Sequence, residues 1–304
     1  MDLKSKIILI SGPTASGKSN FAIKIAKYVN GEIINADSMQ VYKELKILTA
    51  RPNDKQIKKI KHHLYGFQNV KKKFSTGIWL KKTLKKIKEI QKRKKIPILV
   101  GGTGLYFKAL TEGLVKIPTI SLRKRNQIRK LQIKLGQKKF YQKLINLDPL
   151  SKNKIDGNDT QRSIRAYEIK KFTSKSIFKW FEETNILFRP KTFIKIYINF
   201  PREDLIKKIN DRVNQMFKDG AVNEVKNFIK LKIKDDQSPN KVIGIKEITQ
   251  FIKGDISLRE AKEQICIKTR QYAKRQSTWS KGQMQSWQRI EPKNLKLSSI
   301  NFKI

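Results

Sequence analysis

One cysteine, two histidines and 25 acidic residues in a chain of 304, with no long apolar run, already exclude several classes of protein. Cys266 has no partner for an intramolecular disulfide and cannot build a thiolate metal cluster, which suits a reducing compartment and makes the cytosol the expected location. The longest apolar stretches, Ile7 to Ile10 and Ile96 to Val100, fall far short of the ~20 residues that span a bilayer, so no membrane-embedded segment is expected. The start, Met1 to Lys6 followed by apolar residues, imitates a signal peptide, but the run stops at once in a glycine-rich turn and reads as mature sequence. Against the 25 acids stand 69 Lys+Arg, a formal charge of +44. Lysine is spread through nearly every segment beside Ile and Asn, a sign of compositional drift as much as of a functional basic face. Charge therefore names no partner by itself, although it draws in polyanions. The hydrophobic residues, 38% of the chain, recur in periodic clusters, so a packed core of one or two domains is expected.

The order of patterns is strand, loop, helix. Lys6 to Ser11 is apolar and leads into Gly12; after Ser19, the residues Phe21, Ile23, Ala26 and Tyr28 have helical spacing. A second strand, Glu32 to Asn35, ends near Asp37. An irregular stretch follows, then a basic helix from Thr76 to Lys92 with Trp79, Leu80, Leu84 and Ile87 on its buried side, and a third strand from Ile96 to Val100. Strands alternating with helices imply a parallel sheet with crossover helices. From Pro118 the style changes to helices alone. Asp148-Pro149 reads as a cap with proline at the first helical position, and Asn158 or Asp159 opens a helix through Lys170. Phe193 to Asn199 alternates as a half-buried strand, Pro201 opens a helix to about Phe217, and Ser257 with Glu260 forms a capping box before a last helix reaching Trp279. Asn294 to Ile304 looks weakly structured. The fold class is α/β, a P-loop NTPase-like parallel sheet core (1–117 and 189–304) with an inserted all-helical domain (118–188).

Gly12-Pro13-Thr14-Ala15-Ser16-Gly17-Lys18-Ser19 fits G-x-x-x-x-G-K-[ST] between a strand and a helix. Its backbone N–H groups can curl round a phosphate, the helix N-terminus adds positive dipole, Lys18 supplies a charge and Ser19 can ligate Mg²⁺. P-loop ATPases hold the metal partly through an acid that ends an apolar strand, yet Ile96 to Val100 ends in Gly101, which argues against ordinary ATP hydrolysis. The acid follows the second strand, as Asp37. Because carboxyl ends of adjacent parallel strands share a crevice, Asp37 is expected to face the phosphate site as a general base; a turn aspartate is the bland alternative. Gly101-Gly102-Thr103-Gly104 allows close backbone approach to a ligand and offers the Thr103 hydroxyl. Gln161 and Arg165 lie four apart on one helix face, able to contact phosphates or bases or else simply solvated. Thr269 to Trp279 mixes cations, amides and aromatics, a composition that suits single-stranded RNA or a core face backed by charge. Adjacent His62 and His63 on an extended stretch point to opposite sides, one buried and one exposed, and so do not form a metal pair. On these residues alone, a small-molecule P-loop kinase and an RNA-binding module without catalysis both stay open.

The strings GPTASGKS, NADSMQVY with TARP, HHL, LVGGTGLYFKAL, QRSIRA, VIGIKE and TRQYAKRQSTW resemble, in order and spacing, the bacterial tRNA dimethylallyltransferase family from Ile7 to about Trp279. The chain departs from that pattern at Ile245, at HHLYGF and at Ser280. The resemblance implies transfer of a dimethylallyl group from dimethylallyl diphosphate to N6 of the adenosine immediately 3′ of the anticodon, with Mg²⁺ and release of diphosphate. It implies catalytic roles for Asp37 and Thr103 and adds Arg212 to the P-loop residues that hold the diphosphate. It also implies that the tRNA anticodon stem-loop is held by Asp37, Ser38, Met39, Gln40, Thr103, Arg125, Gln161, Arg162, Arg165, Lys241, Lys246, Lys274, Arg275, Gln276 and Trp279; a monomer is expected, and a relative that prenylates free adenine nucleotides would leave the helical insertion and the basic last helix little to do.

Overall fold

Isoleucine-rich runs buried on both faces make the middle of a parallel sheet. The computed structural model describes residues 6–234 and 237–291; the expectation for Asn294 to Ile304 lies outside them. In chain order the elements begin β1 (Ile7–Ser11), α1 (Lys18–Tyr28), β2 (Gly31–Asn35), α2 (Asp54–Lys59), β3 (His62–His63), α3 (Thr76–Lys92), β4 (Ile96–Gly101) and α4 (Gly104–Thr111). There follow α5 (Leu122–Leu147), α6 (Thr160–Thr173), α7 (Ile177–Glu182), β5 (Phe193–Ile198), α8 (Arg202–Lys218), α9 (Ala221–Lys230), α10 (Ile245–Lys253), α11 (Leu258–Gln283) and β6 (Gln288–Ile290). The strands pair in the order β3-β2-β4-β1-β5-β6, every pair parallel. No helix among the described residues is long and apolar enough to cross a membrane.

Strand periodicity divides the core. Ile7 and Leu9 of β1 point to one face, where they join Trp79, Ile87, Phe107 and Leu110 of α3 and α4. Ile8 and Ile10 point to the other, against Phe21, Ala22 and Ile25 of α1. A third cluster packs α8, α9, α10 and α11 against Val41, Leu45 and Leu48. The described residues fall into two compact units, one within Met1–Thr111 and Phe188–Ile304, the other within Glu112–Leu187. The second unit has its own core of Ile128, Phe140, Leu144, Ile155, Ala166 and Tyr167.

Several details depart from the sequence reading. The irregular stretch holds α2 and β3: α2 buries no residue and so has no apolar period to detect, and β3 is only two residues long. On α3, Thr83 and Ile90 are fully buried while Leu84 is only partly so. The strand β5 is covered on both faces, Phe193 and Tyr197 on one and Ile194, Ile196 and Ile198 on the other, leaving only Lys195 part-exposed. Asp148-Pro149 opens a single 3-10 turn, Pro149–Ser151, and no α-helix. Asp148 is buried there and accepts hydrogen bonds from Ser151 Oγ (3.2 Å) and Ser176 Oγ (2.8 Å). The capping boxes and caps follow the expected chemistry: Ser257 with Glu260 starts α11, and Asp159 caps α6. His63 is buried with Nε2 2.6 Å from Glu32 Oε2, and His62 is half-buried rather than exposed because its ring packs edge-on against Tyr65.

Candidate active site

Along the loop between β1 and α1, Ala15 (φ 63°) and Gly17 (φ 79°) in the left-handed region alternate with Ser16 and Lys18, which have no positive φ. This alternation makes a concave run of backbone amides. Ser16 N–H reaches the Pro13 carbonyl (3.3 Å), whereas the N–H groups of Ala15, Gly17, Lys18 and Ser19 have no acceptor among the described residues. Free amides at the start of an eleven-residue helix form an anion site. Lys18 Nζ donates to the Pro13 carbonyl (3.1 Å). Burial pushes its ammonium down to about 8, against the pull of Asp37, and the nearby Arg212 lowers it further. Arg212, from α8, donates through Nη1 to Thr14 Oγ1 (3.0 Å). Burial lowers its pKa too, with Asp37 opposing.

Asp37 reaches this loop from farther away than expected. Strands β1 and β2 are not neighbours; β4 lies between them. What lets the loops meet is the small end of β4: a Cβ on Gly101 would stand 2.0 Å from the Ala36 carbonyl oxygen. The same contact accounts for the missing acid on β4, since no side chain fits at that position. Past β2, the buried Asn35 fixes the bend, accepting from Asp37 N–H (2.8 Å) and donating to the carbonyls of Asp37 (2.9 Å) and Leu64 (3.0 Å). Asp37 Oδ1 accepts from the N–H groups of Met39 (2.9 Å) and Gln40 (3.4 Å). The turn role and the cleft-facing role therefore coexist, because Oδ2 has no protein partner among the described residues. Thr103 Oγ1 accepts from Ser38 N–H (2.9 Å) and bonds Ser38 Oγ (3.2 Å), so it pins the turn that carries the acid.

One cleft of about 630 Å³ joins these parts. It is lined by Thr14, Ala15, Gly17, Lys18, Ser19, Asp37, Met39, Gln40, Arg212, Lys241 and Arg275. Its remaining wall is largely apolar, with Leu48, Ile209, Val213, Met216, Val242 and Ile265. Tyr272 of α11 also lines it; the phenols of Tyr65, Tyr106 and Tyr272 are all pushed up, first by burial and then by the charge of Asp37. Tyr272 belongs to the stretch whose composition suits single-stranded RNA or a core face, and the sequence reading does not find the apolar wall, whose residues come from two distant helices, α8 and α11, and two loops. Gln40 spends its amide on the carbonyls of Thr49 (2.8 Å) and Ala50 (3.2 Å), holding the loop that closes the cleft. Among the described residues no group of three or more His, Cys, Asp or Glu could cage a metal.

Known proteins resemble this chain in sequence and fold. The sequence model of the family described as IPP transferase matches residues 40–283. A tRNA dimethylallyltransferase of Pelagibacter ubique is 62% identical, over 99% of both chains. The chain belongs to the IPP transferase family. Among solved structures, a eukaryotic dimethylallyltransferase acting on tRNA superposes with a TM-score of 0.80 at 28% identity, over 98% of this chain and 76% of that one. The tRNA isopentenylpyrophosphate transferase of Bacillus halodurans superposes with a TM-score of 0.68 at 30% identity, over 95% of this chain and 90% of that one.

The other expected contact residues of this IPP transferase fall into two groups. In the all-helical unit, Gln161 and Arg162 are exposed, and Arg162 Nε lies 3.4 Å from Asp159. Arg125 Nε (3.2 Å) and Arg165 Nη1 (3.4 Å) both converge on the buried carboxylate of Glu168, so each has a structural duty and keeps further N–H donors. In the sheet-bearing unit, Lys246 and Lys274 are exposed, and Arg275 lies over the Tyr272 ring at 5.9 Å. Trp279 packs across Gly104 at the start of α4. Gln276, expected to meet RNA, has both ends of its amide on protein: Oε1 accepts from Thr14 N–H (2.8 Å) and Nε2 donates to the Gly102 carbonyl (3.0 Å).

Proposed function

We propose that this IPP transferase moves a dimethylallyl group from dimethylallyl diphosphate to N6 of the adenosine immediately 3′ of the tRNA anticodon, releasing diphosphate. The observation that carries the reading is a single cleft holding free P-loop amides, Lys18 and Arg212 at one part, Asp37 at another, and an apolar wall beside them. Residues 12–19 and Arg212 bind the diphosphate. The apolar wall takes the five-carbon chain. Asp37 accepts the proton: N6 forms its bond to the allylic carbon, the carbon–oxygen bond breaks, the electron pair leaves with the diphosphate, and the N6 proton passes to Asp37 Oδ2. Amides and cations aimed at the leaving group stabilise the charge that grows there. Thr103 and Ser38 hold the turn of Asp37 in register.

Mg²⁺ fits the donor set as a diphosphate-borne ion. With Ser19, Asp37 and Asp211 as hydroxyl and carboxylate donors lining the cleft and no carboxylate cage among the described residues, the protein offers few ligands, and phosphate oxygens and water would supply the rest. Bound there, the ion would neutralise charge on the diphosphate. The adenosine must leave its stack in the loop to reach a cleft of this kind, at a cost of a few kcal/mol. We assign the exposed Gln161 and Arg162, with Arg125 and Arg165, to the anticodon loop, and Lys241, Lys246, Lys274, Arg275 and Trp279 to the stem-loop beside the sheet. The protein is read as a cytoplasmic monomer.

A small-molecule kinase on the same P-loop would need ATP. Presented with labelled ATP and labelled dimethylallyl diphosphate in separate reactions, the protein is expected to label tRNA only from the second. Label appearing in an acceptor only from ATP would replace this reading with phosphoryl transfer.

A further inference from the structure

Thr14 is the point where three separated parts of the chain meet. Its hydroxyl takes the hydrogen bond of Arg212, and its backbone N–H is taken by Gln276, a residue 262 positions away on α11. The other end of the Gln276 amide is fixed on Gly102, at the close of β4; a Cβ on Gly102 would lie 2.1 Å from Gln276 Nε2. The glycine is thus what admits the side chain. Of the next amides of the loop, those of Ala15, Gly17, Lys18 and Ser19 carry the N–H groups without an acceptor among the described residues. A side-chain acceptor on Thr14 N–H fixes the plane of the Thr14 peptide and, through it, the loop at the point where it turns left-handed at Ala15 (φ 63°). Neighbouring residues of the same helix have a different exposure: Lys274 and Arg275 are exposed, while Gln276 is partly buried and committed.

We infer that Gln276 is a positioning residue for the diphosphate cradle, holding the P-loop in its anion-binding shape from α11, and is not a reader of RNA. The inference rests on the diphosphate-binding reading of the loop; it acts through Thr14 and touches no reacting atom. The primary amide accepts at one end and donates at the other, so neither a carboxylate nor an apolar side chain of equal length can replace it.

The test uses the full-length protein, with inorganic diphosphate as the probe for the cradle and unmodified tRNA as the probe for the RNA surface. Gln276→Met keeps the volume and loses both bonds. It should raise the dissociation constant for diphosphate about tenfold and leave the tRNA dissociation constant within about twofold. In turnover, KM for dimethylallyl diphosphate should rise while KM for tRNA stays level. Because Thr14→Ala disturbs the same node through Arg212, the double variant should lose less diphosphate affinity than the product of the two single losses. Unchanged diphosphate binding in Gln276→Met, or a selective loss of tRNA affinity, overturns the inference. A measurement on the unaltered protein guards against a variant that fails to fold: the Thr14 amide should exchange with solvent far more slowly than an exposed loop amide, and fast exchange there would also overturn it. Failure of the prenyl-transfer reading looks different, since wild-type protein would then bind diphosphate in a Gln276-dependent way yet transfer nothing to tRNA.

Discussion

At the residue scale, two groups with opposite charge carry the proposed chemistry. Asp37 keeps one oxygen in its own turn and offers the other to the cleft, so Asp37→Asn preserves the turn and removes only the base. Transfer should fall by about 10²–10⁴-fold, with donor and tRNA affinities changed little; single-turnover assays with saturating substrates measure it, and near-normal rates would remove Asp37 from the mechanism. Lys18 is held down to about 8 by burial. The sign follows directly: the diphosphate prefers the ammonium, and above pH 8 the free protein loses it. Donor affinity should therefore weaken as pH rises from 7 to 9, approaching tenfold per unit at the alkaline end, while Lys18→Met binds weakly at every pH and shows no such slope. Calorimetry across that range decides the point. Asp37 and the P-loop are legible in the sequence because their signals are local strings. The partners of Gln276 are not, since they lie 262 and 174 residues away, and Arg212 is reached only through the family resemblance.

At the scale of elements, the end of β4 determines which strand supplies the acid. Gly101→Ala should cost about 2 kcal/mol or more, because the methyl group would collide with the Ala36 carbonyl at 2.0 Å and push apart the loops that carry Asp37 and Lys18. Urea unfolding measures this, and wild-type stability in the variant would contradict the packing argument. A second buried contact ties β2 to α3. Burial alone would raise the Glu32 carboxyl, but hydrogen bonds from Arg93 (2.6 Å) and His63 (2.6 Å) hold it at about 2. A depressed carboxyl contributes stability above its unfolded value and loses it as pH falls toward the folded one, so this part of the stability should disappear between about pH 4.5 and 2. Glu32→Gln should cost about 3 kcal/mol at pH 7 and flatten that acid limb in chemical denaturation. Helices with strong apolar periods or capping boxes, such as α3 and α11, are legible in outline from the sequence. Strand order is not, because the insertion of β4 between β1 and β2 is a long-range choice that leaves no local pattern; α2, with nothing buried, leaves none either.

At the scale of the whole molecule, the chain combines a sheet-bearing unit that contains the candidate site with an all-helical unit rich in cations. A formal charge of +44 makes tRNA binding an exercise in counterion release. The logarithm of the tRNA association constant should fall linearly with the logarithm of salt concentration, with a slope of about −0.7 for each single-strand phosphate neutralised. Removing one of the cations assigned to the stem-loop, as in Lys246→Ala, should weaken binding about equally for all tRNAs and reduce that slope by about the value for one phosphate. A salt-independent affinity would mean that the charge is compositional and plays no part in recognition. The basic composition is plain in the sequence, but which cations face a nucleic acid is not, because lysines occur on almost every element.

The identity of the transferred group decides between prenyl transfer and every alternative chemistry at this site. Unmodified tRNA is incubated with the protein, dimethylallyl diphosphate and Mg²⁺, then digested to nucleosides and weighed by mass spectrometry. The expected result is an isopentenyl group gained on the adenosine immediately 3′ of the anticodon, without ATP, and its absence with Asp37→Asn. Unmodified adenosine with active wild-type protein, or a group gained only when ATP is supplied, would contradict it.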